Sequence, residues 1–273
     1  MKLDLDWDPE LGKSWMERDL PPPHIHLQLF ERALPKFERN EIQKLVFRLG
    51  TATEGILERL DYVLIFGVPL MIEEVEGRGS SDQGAIVMRK IFRTCLRFAA
   101  EFGLTAENFE TALHVLEAKK FATEGVYDKS VKSPDRRRAA SIYWASDQTL
   151  AAFVRISEGG RETDVLFARL GVGLNALEAF VWKPKWISAK QVNVLHTNQE
   201  DHWVVPLNGG PIRYISKRAE AGHAHMQCVL GAMYLKGHLV LPDREEGIRW
   251  LRLSLKNGHE RARGVLREAG ILE

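Results

Sequence analysis

The chain has 273 residues, which at roughly 150 residues per domain is enough for two domains that each bury a core without disulfide support. Hydrophobic residues make up 45% and charged residues 27%. These values are typical of soluble globular proteins and argue against a disordered chain, a coiled-coil rod or a membrane protein. Lys and Arg total 38 against 37 Asp and Glu, so the formal net charge of +1 gives no overall attraction for nucleic acid or anionic lipid.

The first residues, MKLDLDWDPELGKSW, carry acids where a secretory signal needs an apolar core. The longest apolar stretch, Tyr62 to Ile72, is interrupted by Gly67 and Pro69, and it has about half of the ~20 residues that a membrane-spanning helix requires. It is typical of buried core. The two cysteines, Cys95 and Cys228, lack the CxxC spacing of a redox or zinc site and favour reduced thiols. We therefore expect a cytoplasmic protein with no membrane partner.

Apolar residues recur at helical spacing through most of the chain. Gly103 is positioned to end one helix and Thr105 to cap the next. The polar, basic stretch from Asp128 to Arg138 predicts a loop, and Gly159-Gly160 predicts a break between two long helices. Strand-like segments are confined to Val192–Leu195 and Trp203–Val205, which suggests at most one short β-hairpin. The predicted helices cover residues 42–60, 86–99, 105–121, 139–156 and 164–181.

The C-terminal residues contain an internal repeat with an offset of 36 residues. At this shift Gly222-His223 falls on Gly258-His259, and Val229-Leu230 falls on Val265-Leu266. A repeat of this length indicates a helix-turn-helix unit that buries its apolar face by stacking on a neighbour.

The residues of this unit resemble the Sel-one-like repeat, a relative of the tetratricopeptide repeat, over about 60 residues from Pro211 to Gly270. The resemblance implies that Gly237 ends a first helix and that Asp243 caps a second. It also implies a protein-binding adaptor or scaffold without catalytic residues, and some bacterial proteins with such tails are immunity proteins that neutralise secreted toxic effectors. The matching residues are Ala219, Gly222, His223, Ala224, Gln227, Leu230, Gly231, Tyr234, Gly237, Val240, Asp243, Gly247, Trp250, Leu251, Asn257, Gly258, His259 and Ala262.

These patterns together predict an all-α fold. Residues 1–23 are expected to form an N-terminal arm, residues 24–210 a helical domain, and residues 211–273 a short Sel-one-like, tetratricopeptide-like α-solenoid.

The sequence offers little for catalysis or metal binding. His24 and His26 follow three prolines and in an extended segment would share one face, as in some metal sites. No acidic partner stands at a diagnostic spacing, so a proline-stiffened arm that docks on the body is the favoured interpretation. Residues 77–81 lack the Gly-Lys-Ser/Thr ending of a phosphate loop, and no GxSxG elbow occurs. We expect no cofactor, no metal and no enzyme activity.

The expected function is a non-catalytic protein-binding module, in its most specific form an immunity protein that binds a cognate toxin. The alternative is a regulator or enzyme whose unrecognised N-terminal domain uses the repeats for docking, or a scaffold of a secretion or signalling system. The basic cluster could meet RNA, DNA or an acidic protein, but a solvated helix start is the favoured interpretation because Asp135 is adjacent. The near-neutral chain disfavours nucleic acid. Tryptophans suit either an interface or a plug between the two parts of the chain. The candidate partner-binding residues are Arg136, Arg137, Arg138, Trp182, Trp186, His202 and Trp203.

Overall fold

The structure is a computed structural model that describes residues 2–18, 23–34, 42–98, 105–127, 130–146, 149–171 and 174–272. The chain divides into two compact units, residues 1–123 and 124–273. The predicted all-α fold with a tetratricopeptide-like α-solenoid is wrong, because the described residues contain 13 strands arranged in three sheets. The division falls inside the range 24–210 that the sequence suggested as one helical domain. Residues 2–17 belong to a strand and a helix of the first unit.

The first unit contains a four-stranded sheet and four α-helices among its described residues. The elements are β1 (Lys2–Trp7), α1 (Pro9–Glu17), α2 (His24–Ala33), β2 (Lys44–Leu49), β3 (Gly55–Leu60), β4 (Val63–Val68), a 3-10 turn (Ile72–Glu74), α3 (Ser80–Phe98) and α4 (Ala106–Ala118). The strand order is β1-β2-β4-β3, with β1, β2 and β4 parallel and β3 antiparallel to β4. Helices α1 and α2 lie between the parallel strands β1 and β2, whereas β3 lies between the parallel strands β2 and β4 in the chain.

The helix predicted over residues 42–60 is replaced by strands β2 and β3. In β2 the buried residues Leu45, Phe47 and Leu49 alternate with less buried ones, which is the two-residue period of a strand. The intervening Lys44 and Arg48 form ion pairs of 2.7 Å with acids of the neighbouring β1. Leu45 and Leu49 fit both the helical and the strand period, and pairing with a distant strand decides between the two structures.

Other predictions for the first unit are confirmed. The apolar stretch from Tyr62 to Ile72 supplies the buried strand β4. Helices α3 and α4 are found where helices were predicted, although α3 begins earlier, at Ser80, and α4 ends earlier, at Ala118. Thr105 stands at the N-cap of α4, but its side chain makes no capping hydrogen bond. Gly103 lies outside the described residues.

The second unit combines two antiparallel sheets with C-terminal helices. The elements are β5 (Glu124–Val126), β6 (Val131–Lys132), β7 (Arg138–Ser146), β8 (Leu150–Glu158), β9 (Arg161–Leu170), α5 (Leu174–Phe180), β10 (Val181–Ser188), β11 (Gln191–His196), β12 (His202–Pro206), β13 (Arg213–Ile215), α6 (Lys217–Glu220), α7 (Ala224–Lys236), α8 (Arg244–Lys256) and α9 (Arg261–Glu268). One sheet has the order β5-β7-β8-β9 with β6 also paired to β7, and the other has the order β10-β11-β12-β13.

The helices predicted over residues 139–156 and 164–181 are wrong except at α5, because most of these residues form β7, β8 and β9. Alanine-rich segments favour a helix by intrinsic propensity, but cross-strand packing overrides that preference here. Gly159 and Gly160, with φ of 56° and 83°, form the tight turn between β8 and β9. A glycine pair in such a turn is a hairpin signal. Strands β11 and β12 confirm the two strand-like segments.

The 36-residue repeat is visible as a duplicated turn. The N–H of Gly222 donates to the carbonyl of Ala219, and the N–H of Gly258 donates to that of Leu255. His223 and His259 likewise donate to carbonyls five residues earlier, and the two glycines have φ of 92° and 87°. Both turns end a helix and start the next in the same way, so the sequence repeat is also a structural one.

The helix pair α7–α8 depends on the absence of side chains at its contact. A Cβ atom at Gly231 would lie 2.7 Å from Leu251 Cγ and 2.8 Å from the carbonyl oxygen of Gly247. Gly237 ends α7 in the left-handed conformation with φ of 64°, and the Asp243 carboxylate accepts a hydrogen bond from the N–H of Glu246 at the start of α8. These contacts match the roles that the repeat pattern assigns to Gly237 and Asp243.

His26 is a core residue of the first unit. It is 1% exposed, and its Nε2 donates to the carbonyl oxygen of Phe121 at 3.1 Å. A Cβ atom at Gly84 would lie 2.2 Å from the imidazole ring, so glycine is needed to admit the histidine. Burial lowers the pKa of His26 to about 4, despite the opposing effect of the Phe121 hydrogen bond. Pro21 and Pro22 of the expected docking arm lie outside the described residues.

We predict that Gly231→Ala lowers the free energy of unfolding by about 1–3 kcal/mol, because the added methyl overpacks the α7–α8 contact. Gly264→Ala is the matched control, since Gly264 lies in α9 with no atom within 4 Å of an added Cβ. That change is expected to be neutral or to stabilise by up to about 1 kcal/mol through helix propensity. Urea unfolding of both variants tests the pair. Equal effects of the two substitutions would contradict the close contact.

We predict a loss of stability below neutral pH that depends on His26. The unfolded histidine binds a proton near pH 6.5, whereas the folded one binds it near pH 4. The contribution is complete above pH 6.5 and is lost as the pH falls toward 4, to a total of about 3 kcal/mol. His26→Gln keeps an N–H donor and does not titrate. Between pH 4 and 6.5, the slope of its free energy of unfolding against pH should therefore be smaller by the contribution of about one bound proton. Denaturation at several pH values measures this, and an unchanged slope would refute it.

Candidate partner-binding surface

An open groove of about 540 Å³ lies in the second unit between β6, the turn after it, and strand β10. We call it the tryptophan groove. Strand β10 is at the edge of its sheet, where Pro184 is tolerated because its missing N–H is not needed by a further strand. The groove is lined by Val131, Lys132, Pro134, Trp182, Lys183, Pro184, Lys185, Trp186 and Leu195.

Trp186 connects the two sheets at the side of the groove. Its indole N–H donates to the carbonyl oxygen of Val131 in β6 at 2.8 Å. The guanidinium of Arg138 lies 5.1 Å from the centre of the Trp186 ring and also donates to the carbonyl oxygen of Ala189 at 2.5 Å. The ring is therefore held by hydrogen bonding and by a cation–π contact, and it forms a fixed wall.

Trp182 is the exposed ring of the groove. Its side chain is 37% exposed, and the ammonium of Lys183 lies 4.1 Å from the ring centre. Ile187, on the same edge strand, is 50% exposed. An exposed tryptophan beside a cation gives a partner both apolar area and charge, which are features of interface hot spots.

The groove is positively charged. Three lysines line it, and the described lining residues include no carboxylate, imidazole, hydroxyl or thiol. Arg136 and Arg137 are exposed in the adjacent turn. Asp135 in the same turn accepts hydrogen bonds from the Ser133 hydroxyl and the Arg137 N–H, which lower the pKa of its carboxyl group. The chemistry present suits recognition of negative charge more than bond cleavage.

The structure brings together part of the sequence-based set of candidate residues. Trp182, Trp186 and Arg138 lie at the groove, and Arg136 and Arg137 follow Pro134 in the turn beside it. Of the three lysines, Lys132 lies in the basic stretch that the sequence indicates, whereas Lys183 and Lys185 were missed. The segment Trp182–Trp186, in which aromatic and basic residues alternate around a proline, is the signal that identifies two of them.

Trp203 and His202 do not belong to this surface. Trp203 is fully buried, its indole N–H donates to the carbonyl oxygen of Leu239 at 2.7 Å, and its ring packs on Phe167 and Tyr214. It fills the interior and offers no area to a partner. His202 is half-buried, and burial lowers its pKa against the opposing charge of Glu220 in α6.

No group of three metal-ligating side chains occurs within the described ranges. None of the helices in those ranges is long and apolar enough to cross a membrane. Comparisons with protein-family models, with curated proteins and with solved structures find no match for this chain. The case for a function therefore rests on the geometry of the groove.

We predict that alanine substitutions at Trp182, Trp186 and Trp203 lower the free energy of unfolding by increasing amounts, in that order. Trp182→Ala should lower the free energy of unfolding least, by about 1 kcal/mol or less, because its ring is the most exposed of the three. Trp186→Ala should cost about 1–2 kcal/mol through the lost hydrogen bond and packing. Trp203→Ala should cost about 3–5 kcal/mol because it empties a buried site. Chemical denaturation measures the order, and a costly Trp182→Ala would show that this ring is structural.

Proposed function

We propose that the protein is a non-catalytic protein-binding module whose tryptophan groove holds an acidic segment of a partner protein. The observation that carries the proposal is the exposed Trp182 ring in a groove lined by three lysines and by no acid among the described residues. The ring and the lysine stems supply apolar contact area, while the ammonium groups supply charge complementarity.

A protein partner fits the groove better than a nucleic acid. The formal net charge of the chain is +1, so the positive surface is local and gives no long-range attraction for a polyanion. The cations of the groove are mostly lysines, whose flexible single charges suit scattered carboxylates, whereas bidentate phosphate contacts favour arginine. Trp186 and Arg138 are already committed to contacts within the protein. We therefore favour a peptide or loop rich in Asp and Glu with one apolar anchor.

The more specific proposal is that the protein is a cytoplasmic immunity protein and that the partner is a cognate toxin. It is supported by the resemblance of residues 211–270 to Sel-one-like repeats and by the duplicated turns at Gly222 and Gly258. In this proposal the groove blocks an acidic surface of the toxin by occupying it, and no substrate is turned over.

The test is capture of partners from the native cell extract by the tagged protein, treated with nuclease, with mass spectrometry of the retained proteins. We expect one acidic protein to be retained by the unmodified protein and lost with Trp182→Ala. Lys183→Glu with Lys185→Glu should weaken binding at least about tenfold and reduce its salt dependence. The charge-matched control is Lys119→Glu with Lys256→Glu, two exposed lysines elsewhere, which should bind normally.

The possible outcomes test three statements separately: that the groove is the binding site, that the partner is a protein, and that the protein confers immunity. A partner retained equally by all variants would refute the groove as its binding site. Loss of all capture after nuclease treatment would refute a protein partner. For the immunity proposal, co-expression with the captured protein should protect cell growth, and Trp182→Ala should abolish that protection. Binding without any effect on growth would leave a scaffold and exclude an immunity protein.

A further inference from the structure

A second site lies in the second unit, between helix α7 and the sheet β10–β13. It is a recess of about 250 Å³. One face of α7 forms its apolar wall at spacings of three and four residues, together with Leu239, and polar residues from the ends of β11, β12 and β13 form the rest. The lining residues are His196, Asn198, Asp201, Tyr214, Ser216, Met226, Val229, Leu230, Met233 and Leu239.

Ser216 gives the recess a buried hydroxyl without a partner. The residue is 2% exposed, and its Oγ has no hydrogen bond among the described residues. Ser216 stands at the N-cap of α6, but its side chain does not accept from that helix. A buried hydroxyl is normally paired, so this one is available to a bound group.

Asp201 gives the recess a buried carboxylate. It is 7% exposed, and it accepts hydrogen bonds from the Lys217 backbone N–H at 3.0 Å, the Asn198 amide at 2.9 Å and the Tyr214 hydroxyl at 3.3 Å. All three donors are uncharged. Within the described ranges no Lys or Arg forms an ion pair with it, whereas the adjacent Glu200 pairs with Arg218. The negative charge is therefore solvated by dipoles and is left without a counter-ion.

His196 adds no positive charge to the recess. Its Nδ1 accepts the backbone N–H of Asn198 at 3.0 Å, which requires a free lone pair and places the ring proton on Nε2. Burial lowers the pKa of His196 against the opposing charge of Asp201. The ring stacks on Trp203 with centres 5.9 Å apart and planes at 21°, so it is a fixed, neutral wall.

We infer that this recess binds an alkylammonium group, with the ammonium between the Asp201 carboxylate and the Ser216 hydroxyl and the alkyl chain against Met226 and Met233. A carboxylate needs about four donors to fill its lone pairs, and Asp201 has three from the protein. An ammonium supplies single, rotatable donors that fit one free position and a hydroxyl oxygen. A guanidinium fits less well, because its fork needs both carboxylate oxygens and Oδ2 already accepts two hydrogen bonds.

The flexible thioethers of the wall suit an unbranched chain. The source of the ammonium is either a free small amine or a lysine side chain of a partner, which share this chemistry. The inference does not depend on the tryptophan groove, which is built from β6, β10 and the turn after β6.

The test uses methyl NMR of the full-length protein labelled with ¹³C at methionine methyl groups. The chain has 6 methionines, and Met226→Leu and Met233→Leu assign the two signals of the recess. We expect n-butylammonium to shift these two signals with a Kd on the order of 1 mM, as its few heavy atoms allow. The exposed Met16 and Met71 should not shift. Equal shifts with n-butanol or with butyrate, or no shift of the two signals, would overturn the inference.

Two substitutions test the named contacts. Ser216→Ala should weaken butylammonium binding about fivefold, the loss expected for one hydrogen bond, without lowering the thermal stability of the free protein. Ser157→Ala, a serine on β8, is the matched control and should bind normally. Asp201→Asn should abolish the preference for butylammonium over n-butanol. Unchanged binding in Ser216→Ala would overturn the placement of the ammonium.

A second titration distinguishes the sources. If a partner supplies the group, a blocked lysine peptide should shift the same two methionine signals at least as strongly as butylammonium. If the natural ligand is a free amine, the peptide should fail to bind while butylammonium binds. Binding of neither probe would overturn the inference.

Discussion

The second unit depends on the packing of one fully buried side chain, Trp203. Its ring contacts Phe167 of β9, so it joins the two sheets, and its indole N–H is bonded to the carbonyl of Leu239 in the segment between α7 and α8. Leu239 presents this carbonyl from a left-handed backbone conformation with φ of 64°, which is uncommon for a bulky residue. The Trp203 ring is therefore fixed both by packing and by a buried hydrogen bond. Because that ring also packs on His196 and Tyr214, which line the recess with Leu239, the position of the recess depends on it.

The sequence predicted local features well where the signal itself is local. Gly237 and Asp243 mark helix ends through backbone conformation and capping, which depend on a few adjacent residues, and both are found where the repeat pattern places them. Strands β2 and β8 were misread because their stability comes from partners elsewhere in the chain. The ion pairs that Lys44 and Arg48 make with β1 cannot be seen in the spacing of apolar residues. Helical and strand periods coincide over such short segments, and only the tertiary pairing separates them.

The candidate surface could be predicted only in part, because its residue pattern is local whereas the burial of each side chain depends on tertiary contacts. The segment Trp182–Trp186 shows its alternation of aromatic and basic residues in the sequence, but nothing there distinguishes the exposed Trp182 from the buried Trp203. Their burial is decided by whether Phe167 or solvent faces the ring. The recess could not be predicted from the sequence. Asp201 and Ser216 have the sequence context of ordinary turn residues, and only the folded position of α7 places them in a recess.

One sheet carries opposite charges at its two edges. Strand β10 presents lysines at the groove, and the recess beside β13 holds the carboxylate of Asp201 without a counter-ion among the described residues. The formal net charge of +1 reveals neither of these local charges. Their different burial gives them different roles. Exposed lysines are screened by salt and act mainly on the rate and selectivity of association. A buried carboxylate is screened much less, and it discriminates between a cation and a neutral group of the same shape.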